Sequence, residues 1–196
     1  MEKKGAEMNV EEAIRMRRAY RSLEPVEITG ELIKTLAESA QLFCSCFNNQ
    51  PWRYIFVYDK DILKELHSAL SKGNEWAQSA SMIIVVFSKQ EYDCIMKDGR
   101  RYYLFDTGMA TASMILRATE LGLVAHPIAG FDPAKVKQIL NIPEEMEVIT
   151  LVIVGKHSER MNPVLSEKQI EAERNRPERL PVEKFVWHNK YQQDND

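Results

Sequence analysis

The run Arg17 to Arg21 (RRAYR) gathers the most chemistry into the fewest residues of this chain. Asn9 caps a helix expected over Val10 to roughly Arg21, on which Arg17 and Arg21 share a face one turn apart and Arg18 lies about 100° round. Arginine forks match phosphate oxygens in bidentate fashion, so this spacing suits a phosphate monoester better than a diffuse polyanion. The plainer reading is a solvated basic helix end stabilised by the dipole. A second concentration, Cys44 to Trp52 (CSCFNNQPW), places Ser45, Asn48, Asn49 and Gln50 within a few residues of Pro51 and Trp52. Such amides read the edge of a heterocycle, or simply shape a turn. A third, His126 to Asp132 (HPIAGFD), joins an expected strand to a capped helix. There Gly130 lets backbone approach a ligand closely, although a tight connection needs a glycine in any case.

Other chemistries find little support. The chain has no HExxH or serine-nucleophile motif and no evident carboxylate pair, which counts against hydrolases. Cys44 and Cys46 form a CxC pair, but Cys94, His67, His126, His157 and His188 stand at no zinc-ligand spacing, so no metal site is expected. The cysteine count, three, is odd and sparse, which argues against a disulfide framework and for reduced thiols in a reducing compartment. His126 reads as a core or interface histidine.

These segments need elements to hold them. The first helix would bury Val10, Ile14 and Met16 and end before Pro25. Thr29 opens a second through about Leu42, with Leu32, Ile33, Leu36, Ala37 and Ala40 at helical spacing. Arg53 to Tyr58 and Ser81 to Phe87 read as central strands, with a helix over Asp61 to Ser71 between them. Tyr102 to Leu121 is a long, mostly apolar helix rich in small residues, stopped at Gly122. A short strand over Leu123 to His126, a helix from Pro133 to about Leu140 capped by Asp132, and a strand over Glu147 to Val154 closed by Gly155 complete the core. From Lys156 to Asp196 eight Lys and Arg meet eight Asp and Glu, and apolar residues cluster at Phe185, Val186 and Trp187. Such an arm forms no core alone and reads as an extension that wraps a partner subunit.

The 196 residues carry 26 Lys and Arg against 29 Asp and Glu, a formal charge of −3, and 44% are hydrophobic. One α+β domain fits, and a broad basic field for nucleic acid or membranes does not. No apolar run approaches the ~20 residues of a membrane span, and Met1 to Met8 lacks the apolar stretch of a signal peptide, so a cytoplasmic protein is expected.

Taken in order, RRAYR, CSCFNNQPW, PIAGF and RLPVEKFV (Arg179 to Val186) resemble the motifs of the nitroreductase-like family of flavin mononucleotide (FMN) enzymes. The resemblance covers nearly the whole chain. It implies an α+β fold with a mixed, mainly antiparallel sheet of about four to five strands flanked by helices, a domain-swapped C-terminal arm (156–196) and a homodimer with FMN at the interface. Carried over, it implies that Arg17, Arg18, Ala19 and Arg21 hold the phosphate end of FMN, with Arg179 completing the cage and Arg176 in reserve. Cys44, Ser45, Asn48 and Gln50 would approach from the partner subunit. The backbone of Ile128, Ala129 and Gly130 would lie beside the flavin ring. Ala19 stands where the family usually has serine, and Cys44 where it usually has proline. The implied activity is transfer of electrons from NADH or NADPH to a nitro, quinone or similar small organic acceptor, with no side chain required as catalytic acid. A flavin reservoir or sensor without turnover, or a specialised flavin reaction such as reductive dehalogenation, remains open.

Overall fold

The computed structural model describes residues 8–192; Met1 to Glu7, most of the segment read for a signal peptide, lie outside them. Two hydrophobic layers enclose one sheet. Strand β3 (Met82–Ser88) lies between β2 (Arg53–Val57) and β5 (Glu147–His157). Its side chains alternate: Ile83 and Val85 join one buried cluster, Met82, Ile84 and Val86 the other. The period of two in a strand requires this, and burial on both faces explains the unbroken apolar run.

On the first face pack α3 (Lys60–His67) through Leu63 and Leu66, and α5 (Pro133–Leu140) through Val136. Asp59 and Asp132 cap these helices, each accepting two backbone N–H groups. On the second face pack α2 (Gly30–Gln41), through Leu36 and Ala40, and α4 (Tyr102–Glu120), through Ala110, Met114, Ile115 and Ala118. Small residues let α4 approach closely, and Ser113 Oγ donates to Ser39 O at 2.8 Å.

Strand β4 (Val124–Ile128) pairs with β5, as does β1 (Leu23–Glu24), giving the expected mainly antiparallel sheet of five strands; all pairings among these described strands are antiparallel. Several expectations are corrected. β2 is an edge strand and not a central one, since among the described residues β3 is its only partner in the sheet. The fifth strand is β1, not a piece of the C-terminal arm. Gly155 does not close β5, which runs on to His157; a Cβ at Gly155 would stand 3.3 Å from Leu23 Cβ, so the bare backbone lets β1 lie close.

Helix α1 (Val10–Met16) has the expected Asn9 cap, completed by Glu12 in a capping box, but ends well short of Arg21. Only Ala13 is buried; Val10, Ile14 and Met16, expected to face the core, are exposed. Val10 and Ala13 border an apolar cavity of about 600 Å³ that Leu42, Phe43, Met109 and Leu116 also line. The tail is not all arm. Leu165 is buried, and Met161 and Ile170 pack on the chain's own core, the latter from α6 (Glu167–Arg174). From Arg174 to Gln192 every residue is exposed, including Leu180, Phe185 and Trp187. Among the described residues no helix is long and apolar enough to cross a membrane.

Candidate functional site

Arg17 does not continue α1: at φ −53° and ψ 121° it turns the chain away. Long-range partners hold the turn. The Arg176 guanidinium donates to the carbonyls of Arg15 and Arg17, the second at 3.0 Å. Arg18 Nη2 donates to Ala172 O at 2.9 Å and Glu173 O at 3.2 Å, at the end of α6. The buried Glu173 carboxylate accepts the backbone N–H of Arg21 at 2.5 Å and of Ser22 at 3.2 Å. Helical spacing therefore does not bring the arginines together, as the sequence reading assumed; the fold does.

Arg17, Arg18, Ala19, Arg21, Arg176 and Arg179 line one cavity of about 150 Å³. None of these arginines forms a salt bridge among the described residues. Desolvation first, and then the charges of Arg176, Arg179 and Arg18, lower the Arg17 pKa. A cluster of like charges, three of them (Arg17, Arg18 and Arg21) partly withdrawn from water, is a site whose electrostatics call for an anion. The small, cationic cavity thus fits the phosphate of FMN.

The third segment borders the first. Arg21 lies over the Trp76 ring, 5.8 Å from its centroid, and Trp76 stacks on His126 of β4 at 4.7 Å. A His126 Nδ1–Tyr20 O contact of 3.1 Å ties β4 back to the arginine segment. Burial pushes the His126 imidazole down to about 4, with Arg21 and Arg17 adding to the depression, so it is neutral at pH 7 and acts as a packing group. Beyond the buried Ile128, the Gly130 carbonyl accepts from Ser71 N at 3.0 Å and Asn74 Nδ2 at 2.9 Å. A Cβ at Gly130 would stand 2.4 Å from that amide nitrogen. A side chain there would have to push the Asn74 amide, the free end of its side chain, off the Gly130 carbonyl.

The second segment stands apart. Ser45 Oγ accepts Gln50 N–H at 2.9 Å, and Gln50 Nε2 donates to Asn48 O at 3.1 Å, so the amides shape their own loop. Phe47, Asn48 and Gln50 adopt φ of 47°, 59° and 50°, left-handed angles that keep the loop tightly folded. Among the described residues, no hydrogen bond, ion pair or ring contact joins this loop to Arg17–Arg21 or to 128–130. Its anchors lie elsewhere: Cys46 N–H donates to Asp106 Oδ2 at 2.7 Å, and Cys46 is disulfide-bonded to Cys94.

That disulfide corrects the reading of Cys44 and Cys46 as a pair of reduced thiols; only Cys44 is free, and it is exposed. The partner is 48 residues away in sequence, a pairing that local spacing does not reveal. Asp93 and Asp106 were missed for the same reason. Both are buried beside the loop, and burial, with Asp93's charge adding, raises the Asp106 pKa above the ordinary carboxylate range.

The nitroreductase family model matches residues 68–156, which run from the end of α3 through α4 and β4 to β5. MhqN of Bacillus subtilis, provisionally named an NAD(P)H nitroreductase, is 26% identical over 192 residues, covering 81% of this chain and 88% of MhqN. Over residues 68–156 the chain is similar to the nitroreductase family. A Helicobacter pylori protein named oxygen-insensitive NADPH nitroreductase is 24% identical, covering 66% of this chain and 78% of its own length. In fold, the chain superposes on a crystal structure described as an oxidoreductase containing FMN with a TM-score of 0.81, 24% identity and 96% of each chain covered. A nitroreductase-type protein from Exiguobacterium sibiricum, solved in complex with FMN, superposes with a TM-score of 0.74 at 20% identity, covering 92% of this chain and 97% of that one.

Proposed function

We propose that this protein is an FMN-dependent oxidoreductase that takes electrons from NADH or NADPH and delivers them to a nitro, quinone or similar small organic acceptor, working as a homodimer in the cytoplasm, where the pyridine-nucleotide pool lies. The observation that carries the reading is the cluster of Arg17, Arg18, Arg21, Arg176 and Arg179 around one small cavity without a neutralising salt bridge. The similarity to the nitroreductase family and the names of MhqN, the Helicobacter enzyme and the FMN-containing neighbours support it.

Each residue then has a task. Arg17 and Arg21 bind the phosphate directly, and Arg179 closes the cage from the arm. Arg18 and Arg176 spend donors on backbone carbonyls and so hold the cage in shape. Ala19 lines the cavity but offers no hydroxyl. The carbonyl bonds from Ser71 and Asn74 pin the peptide at Gly130, so that the backbone of Ala129 and Gly130 presents a fixed dipole to the ring beside Ile128. When bound, the flavin supplies the hydride and electron chemistry, which leaves binding, orientation and exclusion of water to the protein.

Ser45, Asn48 and Gln50, with Cys44 beside them, complete the site from the partner subunit, since within one chain the loop has no contact with the arginines. The exposed apolar residues of α1 and its neighbouring cavity, together with Leu180, Phe185 and Trp187 of the arm, would be covered in that dimer. The single domain then keeps 156–173 on its own core and extends the rest across the partner.

Steady-state oxidation of NADH and NADPH by the FMN-loaded protein, with a nitroaromatic and a quinone offered as acceptors, tests the proposal. Turnover dependent on both FMN and acceptor is expected. Tight FMN binding without turnover would instead make the protein a flavin reservoir or sensor.

A further inference from the structure

Three potential ligand groups outside the arginine site converge between the loop 44–50 and the turn that precedes α4. The ligand atoms of Cys46, Cys94 and Asp93 all lie within 4.8 Å of one another. On a tetrahedral zinc ion two thiolates at ~2.3 Å stand roughly 3.8 Å apart, which is within the spread of this cluster. Asp93 is only 8% exposed. Its Oδ1 accepts from Asn49 Nδ2 at 3.2 Å, while Oδ2 is buried and no N–H reaches it. Asp106 is a second buried carboxyl, close enough to Asp93 for a side-chain hydrogen bond and the Asp93 charge both to raise its pKa, and its Oδ1 is also without a donor. Two carboxyls facing one another away from water repel unless one keeps a proton or a cation lies between them and the sulfurs. Asn49 Nδ2 also approaches Cys94 Sγ at 3.5 Å, a donor suited to sulfur that carries negative charge.

We propose that Cys46, Cys94 and Asp93 form, once the sulfur–sulfur bond is reduced, a binding site for a thiophilic divalent cation of the zinc class. In the balanced step a small thiol reductant gives up two electrons and two protons: two RSH become RSSR while the disulfide becomes two thiols. Binding of the cation then releases those two protons and forms two metal–sulfur bonds, with one Asp93 oxygen as third ligand. Water takes the fourth position, because both cysteines are half-exposed. The loop that carries Ser45 and Gln50 is thus tied to the turn before α4 in both redox states, by a disulfide when oxidised and by a metal when reduced. Cytoplasmic conditions that would open the disulfide are those under which thiolates bind zinc. Neither the site nor its test depends on the cofactor reading.

The test uses the whole chain, reduced anaerobically with a phosphine and titrated with cobalt(II). A sulfur-to-cobalt charge-transfer absorption that saturates at one ion per chain and is abolished by added zinc is expected. Asp93→Asn should weaken binding by roughly tenfold or more, and Cys46→Ser should remove the absorption. A readout on the unaltered protein guards against variants that fail to fold: zinc should protect two of the three cysteines from a thiol-reactive dye, leaving Cys44 to react. Three reactive thiols with zinc present, or a charge-transfer absorption that persists in Cys46→Ser, would overturn the proposal.

Discussion

Arg17 and Arg21 reach the cavity as charge-assisted donors, each such contact being worth about 1.5–3 kcal/mol. The double change of Arg17 and Arg21 to Ala should therefore weaken FMN binding by several tenfold steps while leaving riboflavin, which has no phosphate, nearly unaffected; fluorescence quenching on titration reads both ligands. Equal losses for the two ligands would refute a phosphate role. Glu173 gives a prediction of another kind, because it meets no ligand. Glu173→Ala strands the N–H groups of Arg21 and Ser22, which should cost about 1–3 kcal/mol of stability in urea denaturation and loosen the arginine cage. His126 is neutral when folded and free to protonate when unfolded. Between its ordinary value of 6.5 and the folded value of about 4 the unfolded chain binds more protons. Stability should thus fall as pH drops through that window, by up to about 3 kcal/mol, and the slope should flatten in His126→Gln. The three arginines of RRAYR could be read from residue type alone. Glu173, Asp93 and Asp106 could not, because an acidic residue means something only once burial and neighbours are known.

At the scale of elements, periodicity and caps were legible: Asn9, Thr29 and Asp132 cap helices as expected, and the apolar run of β3 is a central strand; the cap at Asp59, two residues ahead of the expected helix start, was not read. Tertiary partners overruled local preference elsewhere. Nothing near Met16 forbids another turn of helix, yet Glu173, 152 residues away from Arg21, takes the N–H that a helix would use. β1 is two residues long, too short for any alternation to show, and exists because β5 offers it a partner. β2 has the aromatic and β-branched content of a central strand, but strand order is set by the whole sheet and not by composition. The strand-to-helix corner at Gly130 yields a test at this scale. Gly130→Ala should push the Asn74 amide off the Gly130 carbonyl and cost about 1–2 kcal/mol. Combined with Asn74→Ala the loss should be less than the sum of the two single changes, which a double-mutant cycle in thermal or urea unfolding measures.

For the whole molecule, a charge of −3 without a broad basic field fits a small ligand better than nucleic acid. What one chain leaves exposed is informative: Val10, Ile14 and Met16 at one end of the sequence, Leu180, Phe185 and Trp187 at the other. A second copy that covers them would also bring its Ser45–Gln50 loop to the arginine cage, so assembly and cofactor site are one prediction. Light scattering should give twice the mass of the chain, and the disruptive change Ile14→Asp should lower both dimer fraction and FMN affinity. The central claim, that the arginine cavity holds FMN, is tested most directly by titrating the purified protein with FMN and identifying what it retains after gel filtration. One FMN per chain, with flavin absorption near ~370 and ~450 nm, is the expected result. A protein that stays colourless after exposure to excess FMN would contradict it.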